Sequence, residues 1–315
     1  MLCKICKAKG KREKAVIFIR HHKLALCKNH FLEWFEKQTL KTIKHFSMFN
    51  RGEKIGVAVS GGKDSLSLWQ LLTEAGFETV GIHISLGIGK DNYSEKSLKL
   101  CEKLSEKLNR PLIVFDLKEE FGYTIEEIAK LSGRKDVCSV CGTFKRYLMN
   151  KIAIEENLSA VATGHNLDDE SAVLLSNTIR WETGYLGRQY PVLSEREGFA
   201  RKVKPFCFLT EKEIVSYAIL KGIDFMETGC PNAKTATSPV YKQALAFLEH
   251  KMAGTKLRFY KEFLKKAKPL FEKEAKEEYN LTPCKICGMP TTANVCSVCR
   301  ILEKIRGVNA KSGKN

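Results

Sequence analysis

No apolar run in this sequence approaches the length needed to cross a bilayer, which excludes a protein built on membrane-spanning helices. No leader is expected either. Met1-Leu2 is followed at once by Cys3-Lys4-Ile5-Cys6 rather than by the apolar stretch of a secretory signal, so a cytoplasmic protein with no membrane partner is expected. Acidic residues are in short supply, 36 against 53 basic ones, for a formal net charge of +17. That surplus favours a polyanionic partner, nucleic acid first, although a basic surface also serves solubility. Glutamine is scarce too: Gln38, Gln70, Gln189 and Gln243 stand beside abundant Lys and Glu, a balance more common in heat-adapted proteins. What the chain does have is 315 residues, 43% of them apolar, enough for a sizeable core. One large domain with small appendages is expected.

Cysteine is plentiful. Of twelve, ten fall into clusters with metal-ligand spacing, and without an export signal metal binding is a better reading than disulfides. Cys3-x-x-Cys6 and Cys27-x-x-His30 bracket a segment patterned as a hairpin, Ala15 to Ile19 and Leu24 to Leu26, with Arg20-His21-His22-Lys23 at its tip. Cys284-x-x-Cys287 and Cys296-x-x-Cys299 repeat the idea near the other end. Each set offers four N/S ligands and no vacancy, which suits one structural zinc apiece. His21 and His22 are expected in solvent or beside phosphates. Cys101 and Cys207 lie outside the clusters on apolar patterns and read as inert core thiols.

The run Val59-Ser60-Gly61-Gly62-Lys63-Asp64-Ser65 follows an apolar, β-branched stretch, Lys54 to Val59, and precedes Leu66, Leu68, Trp69, Leu71 and Leu72 at helical spacing. Ser60 or Asp64 is the expected start of that helix. Glycines let backbone N–H groups close around an anion, and a helix N-terminus adds donors, so the run reads as a phosphate cradle. It is not a Walker loop, because Gly61 is followed by Gly62 where that pattern requires Lys.

Further strands are expected at Thr79 to Ile84, Pro111 to Phe115 and Ala160 to Thr163, alternating with helices at Ser94 to Leu108 and Thr143 to Glu156. This pattern predicts an α/β fold with a doubly wound parallel sheet and its ligand at the strand C-terminal ends, where Ser60, Ile84 and Gly164 lie. Adenine is expected near Ile84. Gly164-His165-Asn166-Leu167-Asp168-Asp169-Glu170 precedes a helix expected to open at Ser171, and its paired carboxylates suit the magnesium that accompanies ATP. His83 reads as a satisfied sheet residue. A third cysteine set has three members: Cys138 and Cys141 in a loop before a helix, and the distant Cys230. Phe31 to Phe46 reads as a docking helix. Lys251 to Ala275, with eight Lys/Arg against three Glu, reads as a basic helix able to neutralise phosphates.

Ser60-Gly61-Gly62-Lys63-Asp64-Ser65 resembles the SGGxDS signature of the PP-loop ATP pyrophosphatases, and Gly164-His165-Asn166-Leu167-Asp168-Asp169 resembles the second hallmark of those that thiolate tRNA. Val203 to Phe206, Thr210 to Ile214 and Tyr217-Ala218 resemble that family's next block. With zinc modules at both ends, nearly the whole chain is similar to the tRNA 2-thiouridine synthetases of the two-zinc type. The resemblance implies a cofactor site for ATP and Mg2+ formed by Ala58, Val59, Ser60, Gly61, Gly62, Lys63, Asp64, Ser65, Ile84, Lys145, Gly164, Asp168 and Asp169. It implies catalytic roles for Lys145, Asp169, Cys138, Cys141 and Cys230, the three cysteines holding a 4Fe-4S cluster with one open iron. A disulfide or persulfide between Cys141 and Cys230 is the alternative, with a third zinc site behind it. The implied partners are tRNA and a thiocarboxylated ubiquitin-like sulfur carrier, in a group that is commonly homodimeric. The substrate expected is ribothymidine at position 54 of tRNA, with the wobble uridine at position 34 as the alternative and a non-catalytic zinc-ribbon RNA-binding protein as the reading from another class. The expected division is a zinc module and docking helix at 1–48, the catalytic domain at 49–245, a basic helical segment at 246–280 and a second zinc module at 281–315.

Overall fold

The computed structural model describes residues 1–311 apart from 135, 197, 236 and 278–280. The expected boundary between the basic segment and the last zinc module therefore lies outside the described residues.

The chain opens with a short helix α1 (Lys4–Ala8), a hairpin of β1 (Ile17–Ile19) and β2 (Leu24–Leu26), and the long helix α2 (Lys28–His45). There follow β3 (Lys54–Val59), α3 (Lys63–Glu74), β4 (Glu78–Ser85), α4 (Tyr93–Leu108), β5 (Leu112–Asp116), α5 (Leu117–Phe121), α6 (Ile125–Leu131), α7 (Val137–Glu155) and β6 (Ala160–Ala162). Next come α8 (Leu167–Ile179), α9 (Thr183–Arg188), β7 (Val192–Leu193), β8 (Lys202–Val203) and α10 (Glu211–Lys221). Helices α11 (Ser238–Lys251), α12 (Thr255–Glu262) and α13 (Lys268–Glu277), a small hairpin of β9 (Thr282–Pro283) and β10 (Pro290–Thr291), and α14 (Ser297–Lys311) complete the chain. Among the described residues no helix is long and apolar enough to cross a membrane.

The sheet runs β5-β4-β3-β6-β8-β7, parallel except for the edge strand β7. From β3 the chain winds outward through β4 to β5, then returns through α7 to place β6 on the other side of β3. That reversal opens a crevice beyond the carboxyl ends of β3 and β6, the place where such sheets bind ligands. The expected doubly wound parallel sheet is present.

Three helix starts differ from expectation, each for a capping reason. Helix α3 begins at Lys63 with Gly62 as its N-cap, so neither Ser60 nor Asp64 caps it, and Asp64 stands in the first turn. Helix α8 begins at Leu167 rather than Ser171, because the Asn166 side chain accepts the Asp168 and Asp169 N–H groups while Asp169 reaches back to the Asn166 N–H. Helix α7 begins at Val137, capped by Asp136, which puts Cys138 and Cys141 on the helix instead of in a preceding loop.

Two cores position the site. In one, Leu66, Leu68 and Trp69 of α3 lie fully buried with Ile55 and Val57 of β3, and Phe31 and Phe35 of α2 join them. The Phe35 and Tyr217 rings stack at 4.3 Å. Each such buried side chain contributes about 1.5–3 kcal/mol, so α2 is docked firmly. In the second, Val140, Phe144 and Leu148 of α7 and Ile125 and Ile128 of α6 pack with Val298, Ile301 and Ile305 of α14. Leu86 and Ile88, just beyond β4, belong to that same cluster.

Candidate active site

The loop after β3 is shaped by its serines and by Gly61. The Ser60 N–H donates to Ser65 Oγ (3.1 Å), Ser65 Oγ donates to the Gly62 carbonyl (3.0 Å), and Ser97 Oγ of α4 donates to the Ser60 carbonyl (2.8 Å). Gly61 has φ +71°, and a Cβ there would stand 2.9 Å from the Ser97 backbone. Only glycine meets both demands without strain. Across the crevice, a Cβ on Gly164 would lie 2.8 Å from the Asp64 carbonyl carbon, so the loops after β3 and β6 meet at backbone distance.

A cleft of about 410 Å³ lies at this meeting point, within the size range of small-ligand sites. Ala58, Val59, Ser60, Gly62, Asp64, Ser65, Ile84, Lys145, Gly164 and Asp169 line it. Gly61 and Lys63 are in the loop but off the lining, and Asp168 is beside it. The structure separates the two adjacent carboxylates: Asp169 faces the cleft and is held by Lys242 Nζ at 2.5 Å, whereas Asp168 receives Lys256 Nζ at 2.5 Å and the Glu211 N–H at 2.9 Å. The acid facing Asp169 is therefore Asp64. Burial pushes the Asp64 carboxyl up, opposed by Lys63 and by the Asn166 amide, which donates to it at 3.0 Å.

The motifs did not assign these partners their roles. Glu211, within the stretch Thr210 to Ile214 noted above, binds Lys63 Nζ at 2.7 Å and follows Thr210, which forms a capping box with Glu213. Lys256 belongs to the basic segment, and its side chain is only 9% exposed, so it serves an internal ion pair rather than the surface. Glu170, also buried, accepts from Lys204 and Tyr260 at 2.9 and 2.8 Å, fastening α12 to α8. His83 is half satisfied. Its Nδ1 lies 3.1 Å from the Val59 carbonyl, but Nε2 has no partner among the described residues and the side chain borders the cleft.

Cys138, Cys141 and Cys230 come together beside the cleft. Cys138 Sγ donates to the Asn232 carbonyl at 3.0 Å, joining α7 to the segment that carries Cys230. Burial pushes the Cys141 thiol up; Cys230 and Cys138 add to this, while Lys145 opposes it. Tyr93, on the cleft lining, is raised by burial and then by Cys230 and Cys141. Lys145 thus stands between the cleft and the sulfurs. Cys101 and Cys207 are buried elsewhere, burial pushing Cys101 up to about 12 and Cys207 strongly upward, as inert core thiols should be.

A family model described as the PP-loop domain matches residues 31–236, and one described as the 2-thiouridine synthetase TtuA N-terminal LIM domain matches residues 2–32. The chain is 46% identical to the tRNA-5-methyluridine(54) 2-sulfurtransferase of Thermus thermophilus, across 97% of this chain and 92% of that one. It belongs to the PP-loop tRNA 2-sulfurtransferases. The Thermotoga maritima member is 44% identical, over 92% and 94% of the two chains. In fold, this sulfurtransferase is similar to the solved U34-tRNA thiolase NcsA from Methanococcus maripaludis with its 4Fe-4S cluster, at a TM-score of 0.79, 24% identity and 96% coverage of both chains.

Both terminal cysteine sets of the sulfurtransferase are assembled. Cys6 and Cys27 sulfurs stand 3.9 Å apart and Cys287 and Cys296 sulfurs 3.8 Å apart, close to the edge of about 3.8 Å that a tetrahedron with metal–sulfur bonds of about 2.3 Å requires. His30 turns Nδ1 toward Cys3, Cys6 and Cys27 at 3.4, 3.3 and 3.2 Å. Burial works against ionising Cys3 and Cys284, yet surrounding backbone N–H groups outweigh it and bring both to about 6, the state a metal ligand needs. Among the described residues only these two sets draw three or more such ligand atoms within 4.8 Å of one another. The Cys138, Cys141, Cys230 trio is wider, which disfavours a third single-ion site. The C-terminal set also touches the helix that carries Cys138, Cys141 and Lys145: Tyr147 of α7 hydrogen-bonds to Cys287.

Proposed function

We propose that this sulfurtransferase replaces the C2 oxygen of ribothymidine 54 in tRNA with sulfur, consuming ATP. The observation that carries this reading is the placement of Lys145 between a PP-loop cleft and three converging cysteines, which puts activation and sulfur delivery within reach of one base. ATP would lie with adenine near Ile84 and its phosphates along Ser60 to Ser65, its Mg2+ held by Asp64 and Asp169 with Asp168 behind them. The uridine O2 would attack the α-phosphorus and pyrophosphate would leave, its charge met by the loop N–H groups and Lys145. Sulfide would then attack C2, and the oxygen would depart with AMP. Cys138, Cys141 and Cys230 would hold a 4Fe-4S cluster, whose open iron supplies a site for that sulfide. The sulfur would arrive as the thiocarboxylate of a ubiquitin-like carrier protein. Position 54 is favoured over position 34 by the position named for the relatives at 46% and 44% identity.

Nucleoside mass spectrometry of tRNA from a strain lacking this gene should show loss of 2-thioribothymidine with thiolated wobble uridines intact. The reverse pattern would move the assignment to position 34. Loss of neither would overturn the thiolation reading.

Each terminal set would hold one structural zinc. Metal analysis of protein purified without added metal should return about two zinc ions per chain. One ion would mean that one module is not a zinc site.

A further inference from the structure

A second groove, of about 670 Å³, runs between α2 and the α12 region and shares no residue with the ATP cleft. Its wall is aromatic. Phe46 meets Tyr190 at 5.4 Å and Phe208 at 5.6 Å, and Trp34 meets His22 of the N-terminal hairpin tip at 5.7 Å. Its rim is cationic: Lys261 rides over the Phe208 ring at 4.8 Å, and Lys41 and Lys265 are exposed beside it. Glu262 is the one acid among the described lining residues, and Lys266 neutralises it at 2.6 Å. Flat rings interleaved with lysines that form no ion pair among the described residues complement a ligand that has both a π-face and a phosphate.

We propose that this groove receives an unpaired nucleotide of the tRNA, its base among the rings and its flanking phosphates on Lys41, Lys261 and Lys265. The assignment rests on the tRNA reading above. An acidic protein tail would satisfy the lysines but leave the ring wall without a matching partner. The groove is also tied to the chemistry, since α12, which supplies Lys261, places Lys256 on Asp168 beside the ATP cleft. A nucleotide seated here would bear on the helix whose Lys256 pairs with Asp168 in the first turn of α8, and the N-terminal module would take part in reading the substrate.

The test compares full-length wild type with a Lys261→Ala/Lys265→Ala double variant and with Trp34→Leu, which keeps apolar bulk but removes the stacking face. Filter binding of unmodified tRNA across a salt series should show affinity lowered about 10-fold in each. The double variant should also have a salt slope shallower by about 1–2, which a merely structural defect would not produce. ATP affinity should be unchanged in both. Wild-type tRNA affinity and slope in the double variant would overturn the groove assignment, leave an acidic protein as its occupant, and spare the tRNA reading. Absence of tRNA binding by the wild type would overturn both.

Discussion

Replacing Asp64 with alanine should lower ATP-dependent AMP formation by about 10²–10³-fold or more while leaving the fold intact. Asp64 sits in the first turn of α3, faces the cleft, and is tied by the Asn166 amide to the start of α8. Burial raises its pKa and Lys63 and Asn166 only oppose that rise, so a bound cation would add the stabilisation that the chain itself leaves incomplete. Alanine removes that charge and leaves Lys63 its Glu211 partner, so local packing should persist. Asp64→Asn separates charge from shape, because it keeps the volume and can still accept from Asn166. We expect it to be nearly as inactive as alanine. Wild-type pyrophosphate release from a folded Asp64→Ala protein would remove the loop from the chemistry.

The second large effect concerns the cysteines. Cys138→Ala should abolish thiolation as completely as Cys230→Ala, in anaerobically reconstituted protein, while AMP formation survives in both. Two thiolates do not replace three in holding a four-iron cluster, so every member should matter equally. A persulfide or disulfide route needs only Cys141 and Cys230, and Cys138 would then be dispensable. Cys138 contributes one hydrogen bond, to the Asn232 carbonyl, worth about 1 kcal/mol, so its loss should not unfold α7. Thiolation retained in Cys138→Ala would eliminate the cluster and leave Cys141 and Cys230 as the sulfur-handling pair, a persulfide route that requires a donor whose sulfur is already at the persulfide level instead of a thiocarboxylate.

Much of this site could be read directly, because its parts are local. The phosphate loop needs adjacent glycines after a strand, and both four-ligand sets announce themselves as knuckles three residues apart. The parallel sheet followed from short apolar runs separated by helical periodicity. What stayed hidden is whatever depends on partners far along the chain. Lys256 looks like one more surface lysine of a basic helix until the fold brings it 2.5 Å from Asp168, 88 residues earlier. Nothing local says that the adjacent Asp168 and Asp169 turn to different lysines. The helix starts were displaced because Asn166 and Asp136 act as caps, and residues that also suit loops announce a cap only when the following N–H groups are known to lack partners.

The packing of the last helix against α6 and α7 has a consequence for the order in which this protein comes into being. The wall formed by Val140, Phe144 and Leu148, with Leu86 and Ile88 at the lip of the ATP cleft, is covered by Val298, Ile301 and Ile305. A ribosome makes every residue of the PP-loop, and Cys138, Cys141 and Cys230, well before it makes that cover. The growing chain therefore carries the parts of an active site on a half-exposed apolar face, and the closing metal knuckle with its helix is the piece that finishes it. A product cut short before residue 296 should therefore be left with a sticky surface that protein quality control can find.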